Sequence, residues 1–229
     1  MGQSEYSAFE AAIAYRFKDE ALLRLALTHP SCAKTEDDTP YNNQRLEFLG
    51  DSVLALLVAE LLYSMYPHEQ EGDLARRHSA LVNGAQLSEV AKTLGLGESL
   101  QMSRSEEECG GRENASNLED ACEALIGAIY LDGGLQAAQA FVHAHWSKLA
   151  EAVSEPPKDP KTGLQEWAQA RGLGLPVYRV ASHTGPAHAP EFTISVEVEG
   201  YPPAQAVAGS KKQGERDAAE ALLASVEKD

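Results

Sequence analysis

The chain has 229 residues, 43% of them hydrophobic, and a formal net charge of −16; this length holds one large domain or two modest ones, with enough apolar content for a core. Three scattered cysteines, Cys32, Cys109 and Cys122, with no C-x-x-C pair, argue against a disulfide framework or a thiolate zinc site and suit a cytoplasmic setting. The most apolar region, Leu46–Tyr66, is interrupted by Glu47, Asp51 and Glu60, so no membrane span is expected, and the first residues lack the basic and apolar regions of a signal peptide.

Residues 7–150 read as mostly helical, beginning with amphipathic segments that carry Ala12, Ile13, Tyr15, Leu22, Leu23 and Leu25. Leu46–Tyr66 is apolar on almost every side, which predicts a central buried helix. One further helix is expected over Asp73–Gly95, with Leu94-Gly95 as its C-terminal stop. Gly110-Gly111 breaks the chain before a helix at about Asn117–Leu131, which Asp132-Gly133-Gly134 should end, and a last helix covers Leu135–Val153.

Three prolines within residues 154–160 read as a linker. Beyond it Thr162–Arg171 is a short helix, and Val177–Val180 and Phe192–Val198 alternate like strands. Tyr201–Val207 fits a third strand and Ser210–Val226 a closing helix. The fold class expected is therefore multidomain: an all-α domain over 1–153, then a small α+β domain of order α-β-β-β-α over 161–229.

Two pairs of acids stand out. Glu47 and Asp51 are four residues apart, and Asp120 and Glu123 three apart, so each pair shares a helix face in the most apolar helices of the chain. Like charges at this spacing repel, and burying them costs several kcal/mol each unless something pairs with them. If the pairs face one another they form an all-oxygen site suited to a hard cation such as Mg²⁺, which supplies charge and lowers the pKa of coordinated water. Spacing alone favours a plainer account, a solvated acidic face.

The string Gln44–Ser52 resembles the signature of the ribonuclease III family, an acid followed by R-L-E-F-L-G-D-S. Residues 118–128 are similar to that family's second string, D-x-x-E-A-x-x-G, and Ala26–Ser31 resembles a segment near its N-terminus. The resemblance implies a catalytic and metal-binding set of Glu47, Asp51, Asp120 and Glu123, with Mg²⁺ (or Mn²⁺) as cofactor. It implies a homodimeric endoribonuclease that cuts double-stranded RNA in ribosomal and messenger RNA processing, leaving 5′-phosphate and 3′-hydroxyl ends. Phe48 would then lie at the dimer interface, though by composition it reads equally as core. Gln44 stands where the family commonly has Glu, and Glu71 matches a further accessory acid.

Residues 161–229 resemble a double-stranded RNA-binding domain, through Thr162–Trp167, Gly185–Pro190 and Gly209–Ala219. Such domains read A-form shape across two minor grooves and the phosphates between them. The resemblance gives Gln165 and His188 to the minor grooves and Lys211 and Lys212 to phosphate. Two lysines directly after a helix-capping serine oppose the helix dipole, a broken local rule that suits phosphate binding. Gly214 departs from the family's Ala, and a helix-interior Gly costs roughly 0.5–1 kcal/mol.

The charge is uneven. Residues 1–160 carry 12 Lys+Arg against 26 Asp+Glu, net −14, and residues 161–229 carry 7 against 9, net −2. RNA binding by so acidic a chain calls for a few placed cations and for bound metal. Two other functions compete: a catalytically silent RNA-binding regulator, and an acidic helical interaction protein whose Glu47 and Asp120 lie far apart.

Overall fold

The computed structural model describes residues 6–32, 41–153, 159–185 and 190–226. The chain divides into two compact units between Pro157 and Lys158.

The first unit is helical: α1 (Ser7–Ala12), α2 (Glu20–Ala26), a 3₁₀ turn (Pro30–Cys32), α3 (Gln44–Met65), α4 (Glu71–Leu81), α5 (Gly84–Thr93), α6 (Leu96–Ser99), α7 (Arg104–Glu108) and α8 (Ala115–Ala152). Its centre is the pairing of α3 with α8. Leu54, Leu57, Val58 and Leu62 of α3 and Leu125, Ile126 and Ile129 of α8 are buried in one core, closed by Trp146, whose indole N–H donates to the Leu81 carbonyl at 2.9 Å. By length and composition alone both helices are apolar enough to cross a membrane, a test that core helices also pass. Arg77, almost wholly buried, is held by the Glu69 carboxylate at 2.7 and 2.8 Å, by the Val153 carbonyl and by the face of Tyr66.

Where one helix was expected over Asp73–Gly95 there are two. Asn83 takes an extended backbone, its side chain accepts the Gln86 N–H, and a new helix starts there although the apolar periodicity runs on. The stop at Leu94-Gly95 is present, with Gly95 at φ +69°. The expected break at Asp132-Gly133-Gly134 takes the form of a kink inside α8, at Gly134 with φ +78°. There the Asp132 carboxylate accepts from Tyr15 Oη at 2.6 Å and from the backbone N–H groups of Lys18 and Asp19.

The second unit runs α9 (Pro160–Ala170), β1 (Val177–Thr184), β2 (Glu191–Glu197), β3 (Ala204–Ala208) and α10 (Lys211–Val226). The strands form an antiparallel sheet in the order β1-β2-β3, pairing Val180 with Ile194 and Ile194 with Ala206. Both helices pack with it around Leu164, Ala168, Ile194, Val196, Ala218 and Leu222. Asp159 and Pro160, read from sequence as linker, belong to α9. Asp159 caps it by accepting from Lys161 and Thr162, and Pro160 fills the first turn, where a missing N–H costs nothing. A Cβ on Gly214 would come within 2.5 Å of Ile194 Cγ1, so the glycine lets α10 lie close on β2.

Candidate active site

The acid pairs face one another because both helices carry a glycine where they cross. Gly50 lies between Glu47 and Asp51, and Gly127 lies one turn after Glu123. A Cβ on Gly50 would overlap the Glu123 carbonyl oxygen, and one on Gly127 would overlap the Leu46 carbonyl oxygen. Backbone therefore meets backbone here, and the carboxylates beside each glycine are carried to the same crossing. Asn114 starts α8 by accepting the N–H groups of Ser116 and Asn117, which sets the phase of the turn that holds Asp120 and Glu123.

Electrostatics record this convergence. Burial, then the charges of Asp51, Glu119, Glu47 and Asp120, push the Glu123 carboxyl up to about 8. Glu47 is raised by burial and then by Asp120, Glu119 and Asp51. Asp120 is raised by burial, against an opposing effect of His29. Glu47 and Asp120 thus act on each other, which overturns the account of an acidic interaction protein with distant acids.

Glu119 is a fifth acid that the sequence reading passed over. It is raised by burial and by Asp120, and its carboxylate lies against Gly84, leaving no room there for a Cβ. Its signal was the i, i+4 spacing to Glu123. Gln44 and Glu71 stand exposed at the first residues of α3 and α4. Phe48 is 79% exposed, so it is not core. It continues along α3 into Leu56 and Tyr63, 57% and 75% exposed and on the same helical face.

Among the described residues no Lys or Arg forms an ion pair with Glu47, Asp51, Asp120 or Glu123. Among the described residues no three His, Cys, Asp or Glu side chains are grouped closely enough to hold an ion by themselves. Partly buried carboxylates without a Lys or Arg partner fit a hard dication, and Mg²⁺ in particular is held by one or two carboxylates with water completing its shell. A tight all-protein cage is not what that ion requires.

In the second unit Gln165 is exposed on α9, and Lys211 and Lys212 are exposed at the start of α10. Ser210 Oγ accepts the Gln213 N–H at 3.2 Å, as its reading as a cap requires. Lys211 Nζ lies 5.8 Å from the ring centre of Phe192, on which His183 stacks at 4.5 Å. His188 lies outside the described residues.

A carboxylate cluster at a helix crossing, followed by an α-β-β-β-α module, is an arrangement that suits a metal-dependent nuclease with an RNA-binding domain of its own, and the family matches are of that class. Residues 19–149 match the family model described as Ribonuclease-III-like, and residues 160–226 match the Double-stranded RNA binding motif. Ribonuclease 3 of Wolbachia pipientis subsp. Culex pipiens (strain wPip) is 50% identical over 217 residues, 94% of each chain. Ribonuclease 3 of Anaplasma marginale (strain Florida) is 45% identical over 216 residues, 94% of this chain and 92% of that one. The crystal structure of the ribonuclease III nuclease domain from Campylobacter jejuni is 42% identical and superposes with a TM-score of 0.59, covering 64% of this chain and 97% of that one. A second structure of that domain, 41% identical with a TM-score of 0.57, covers 62% of this chain and 99% of that one and describes flexibility in a region involved in dimer formation. The chain belongs to the ribonuclease III family.

Proposed function

We propose that in this double-strand-specific endoribonuclease Glu47, Asp51, Asp120 and Glu123 hold Mg²⁺ at the α3–α8 crossing and carry out hydrolysis of the phosphodiester bond. The observation behind these roles is the convergence of the two acid pairs across Gly50 and Gly127, with no Lys or Arg ion pair to them among the described residues. When bound, Mg²⁺ supplies charge for the phosphoryl oxygens and acidifies water. Glu123, the most perturbed acid, would hold the ion and would accept a proton from the attacking water. Asp51 would orient that water for attack on phosphorus, and Glu47 and Asp120 would help hold the ion. The bond from phosphorus to the 3′-oxygen breaks as the water oxygen bonds to phosphorus, and the departing oxygen takes a proton from solvent water, giving 5′-phosphate and 3′-hydroxyl ends.

Gln165 and His188 read the duplex grooves, and Lys211 and Lys212 take its phosphates. The exposed stripe of Phe48, Leu56 and Tyr63 supports a homodimer, in which two copies of the site serve the two strands. We place the enzyme in the cytoplasm, acting on ribosomal and messenger RNA precursors.

Digestion of a long RNA duplex, with single-stranded RNA and DNA as controls and with Mg²⁺ or EDTA, tests the activity. Glu123→Gln should lower cleavage by at least about 10²–10³-fold while duplex binding in a gel-shift assay is retained; unchanged cleavage sinks the site assignment. Phe48→Glu should shift the sedimentation profile from dimer to monomer.

A further inference from the structure

The segment Thr28-His29-Pro30-Ser31 matches the family but has no task in the mechanism above. In the fold it joins the two helices that carry the acids. The Thr28 carbonyl accepts the N–H of Asn43, the residue directly before α3, at 2.9 Å. The His29 ring reaches α8, where Nε2 lies 3.2 Å from Asn117 Oδ1, one turn before Asp120. From a third side the His29 N–H donates to the Gln101 carbonyl at 2.9 Å, and Gln101 donates back to Leu27 at 2.8 Å.

The direction of the ring's hydrogen bonds follows from its neighbours. The Asn117 amide nitrogen faces Glu106 Oε1 at 2.9 Å and the Gly111 carbonyl at 3.0 Å. Both are acceptors, so that end is the NH₂ group, and Oδ1 is left to accept from His29 Nε2. At the opposite edge Nδ1 lies 3.1 Å from the Ser31 backbone N–H, an obligate donor, and 2.8 Å from Ser31 Oγ. Ser31 Oγ itself accepts the Ser103 N–H at 2.9 Å, which frees its proton to turn toward Nδ1. The Asn117 edge calls for a proton on Nε2 and the Ser31 edge for an Nδ1 free to accept, and the Nε2–H tautomer is the form that meets both. A ring that merely filled space would need no such agreement.

We propose that His29 is a positioning residue: its Nε2–H holds Asn117 while its backbone segment holds the start of α3, and this strut sets the spacing between the Glu47–Asp51 pair and the Asp120–Glu123 pair. The inference rests on the function proposed above. Two substitutions separate the ring's edges. His29→Gln places an amide donor near the Nε2 position and keeps the bond to Asn117. His29→Asn places its polar atoms near the Nδ1 position, keeping Ser31 and losing Asn117.

In the full-length protein His29→Asn should lower kcat about tenfold with the KM for duplex RNA unchanged, and weaken Mg²⁺ binding to the RNA-free protein, measured by calorimetry, by a similar factor. His29→Gln should stay within about threefold of the parent in both. Nitrogen-15 NMR of the parent imidazole should show the proton on Nε2. Equal behaviour of the two variants, a loss confined to RNA affinity, or a proton on Nδ1 overturns the proposal. If His29→Asn does not fold, Glu106→Ala decides, because it removes an acceptor that orients Asn117 from a partly exposed position. A smaller loss of kcat and Mg²⁺ affinity supports the strut, and parent values in that variant overturn it. A parent protein with no Mg²⁺-dependent cleavage refutes the proposed function instead, whereas a cleaving parent with indistinguishable His29 variants refutes the strut alone.

Discussion

Glu47 and Glu123 come from helices far apart in the sequence and meet only because two glycines let backbones touch, whereas Lys211 and Lys212 need nothing beyond the first turn of α10. The proposed nuclease site is partly buried and rich in like charge, the setting that calls for a cation. The proposed RNA contacts Gln165, Lys211 and Lys212 are exposed and separate side chains. A site of the first kind should fail as a unit when the packing behind it changes. A surface of the second kind should weaken in increments.

The strongest challenge to this contrast is Gly50→Ala, which changes no charged group. Its methyl would overlap the Glu123 carbonyl oxygen, so the helices must separate. We expect a loss of about 1–3 kcal/mol in denaturant unfolding and near-complete loss of cleavage. Parent-like cleavage in that variant would mean the crossing does not set the site.

Metal removal gives a second test, with a definite sign. Burial and neighbouring acids hold Glu123 up to about 8, against its ordinary 4.5, and Glu47, Asp120 and Glu119 are shifted in the same direction. The folded protein therefore keeps protons that the unfolded chain releases. In EDTA this contribution is fully present below the ordinary carboxylate range and is lost as the pH rises through about 8. Thermal midpoints should accordingly fall between pH 5 and pH 9 in EDTA, and Mg²⁺ should flatten the slope by occupying the carboxylates. A midpoint that rises with pH in EDTA contradicts the assignment.

The smallest effects belong to the second unit. Lys211→Ala and Lys212→Ala should each weaken duplex binding evenly across sequences and reduce the slope of log affinity against log salt by about 0.7–1. Single-turnover cleavage at saturating enzyme should be unchanged. A lysine variant that abolished cleavage there would erase the distinction between the two regions.

Local chemistry made much of the fold readable in advance. The Leu94-Gly95 stop, the three strands and the Ser210 cap each depend on residues within a few positions of one another. The division at Asn83 was hidden because its cap interrupts no apolar period, whereas the break at Asp132-Gly133-Gly134 was legible and is made by the non-helical backbone of Gly134 inside α8. Phe48 could be read as core or as surface until the position of its neighbours exposed it.

The sequence alone determined the element types, the family resemblance and the four acids, because periodicity, caps and short strings are local properties. Tertiary structure decided that the acid pairs meet, that Glu119 joins them and that His29 ties α8 to the start of α3. Those facts depend on where two distant backbones touch. That contact is governed by the absence of side chains at Gly50 and Gly127, which no periodicity in the chain records.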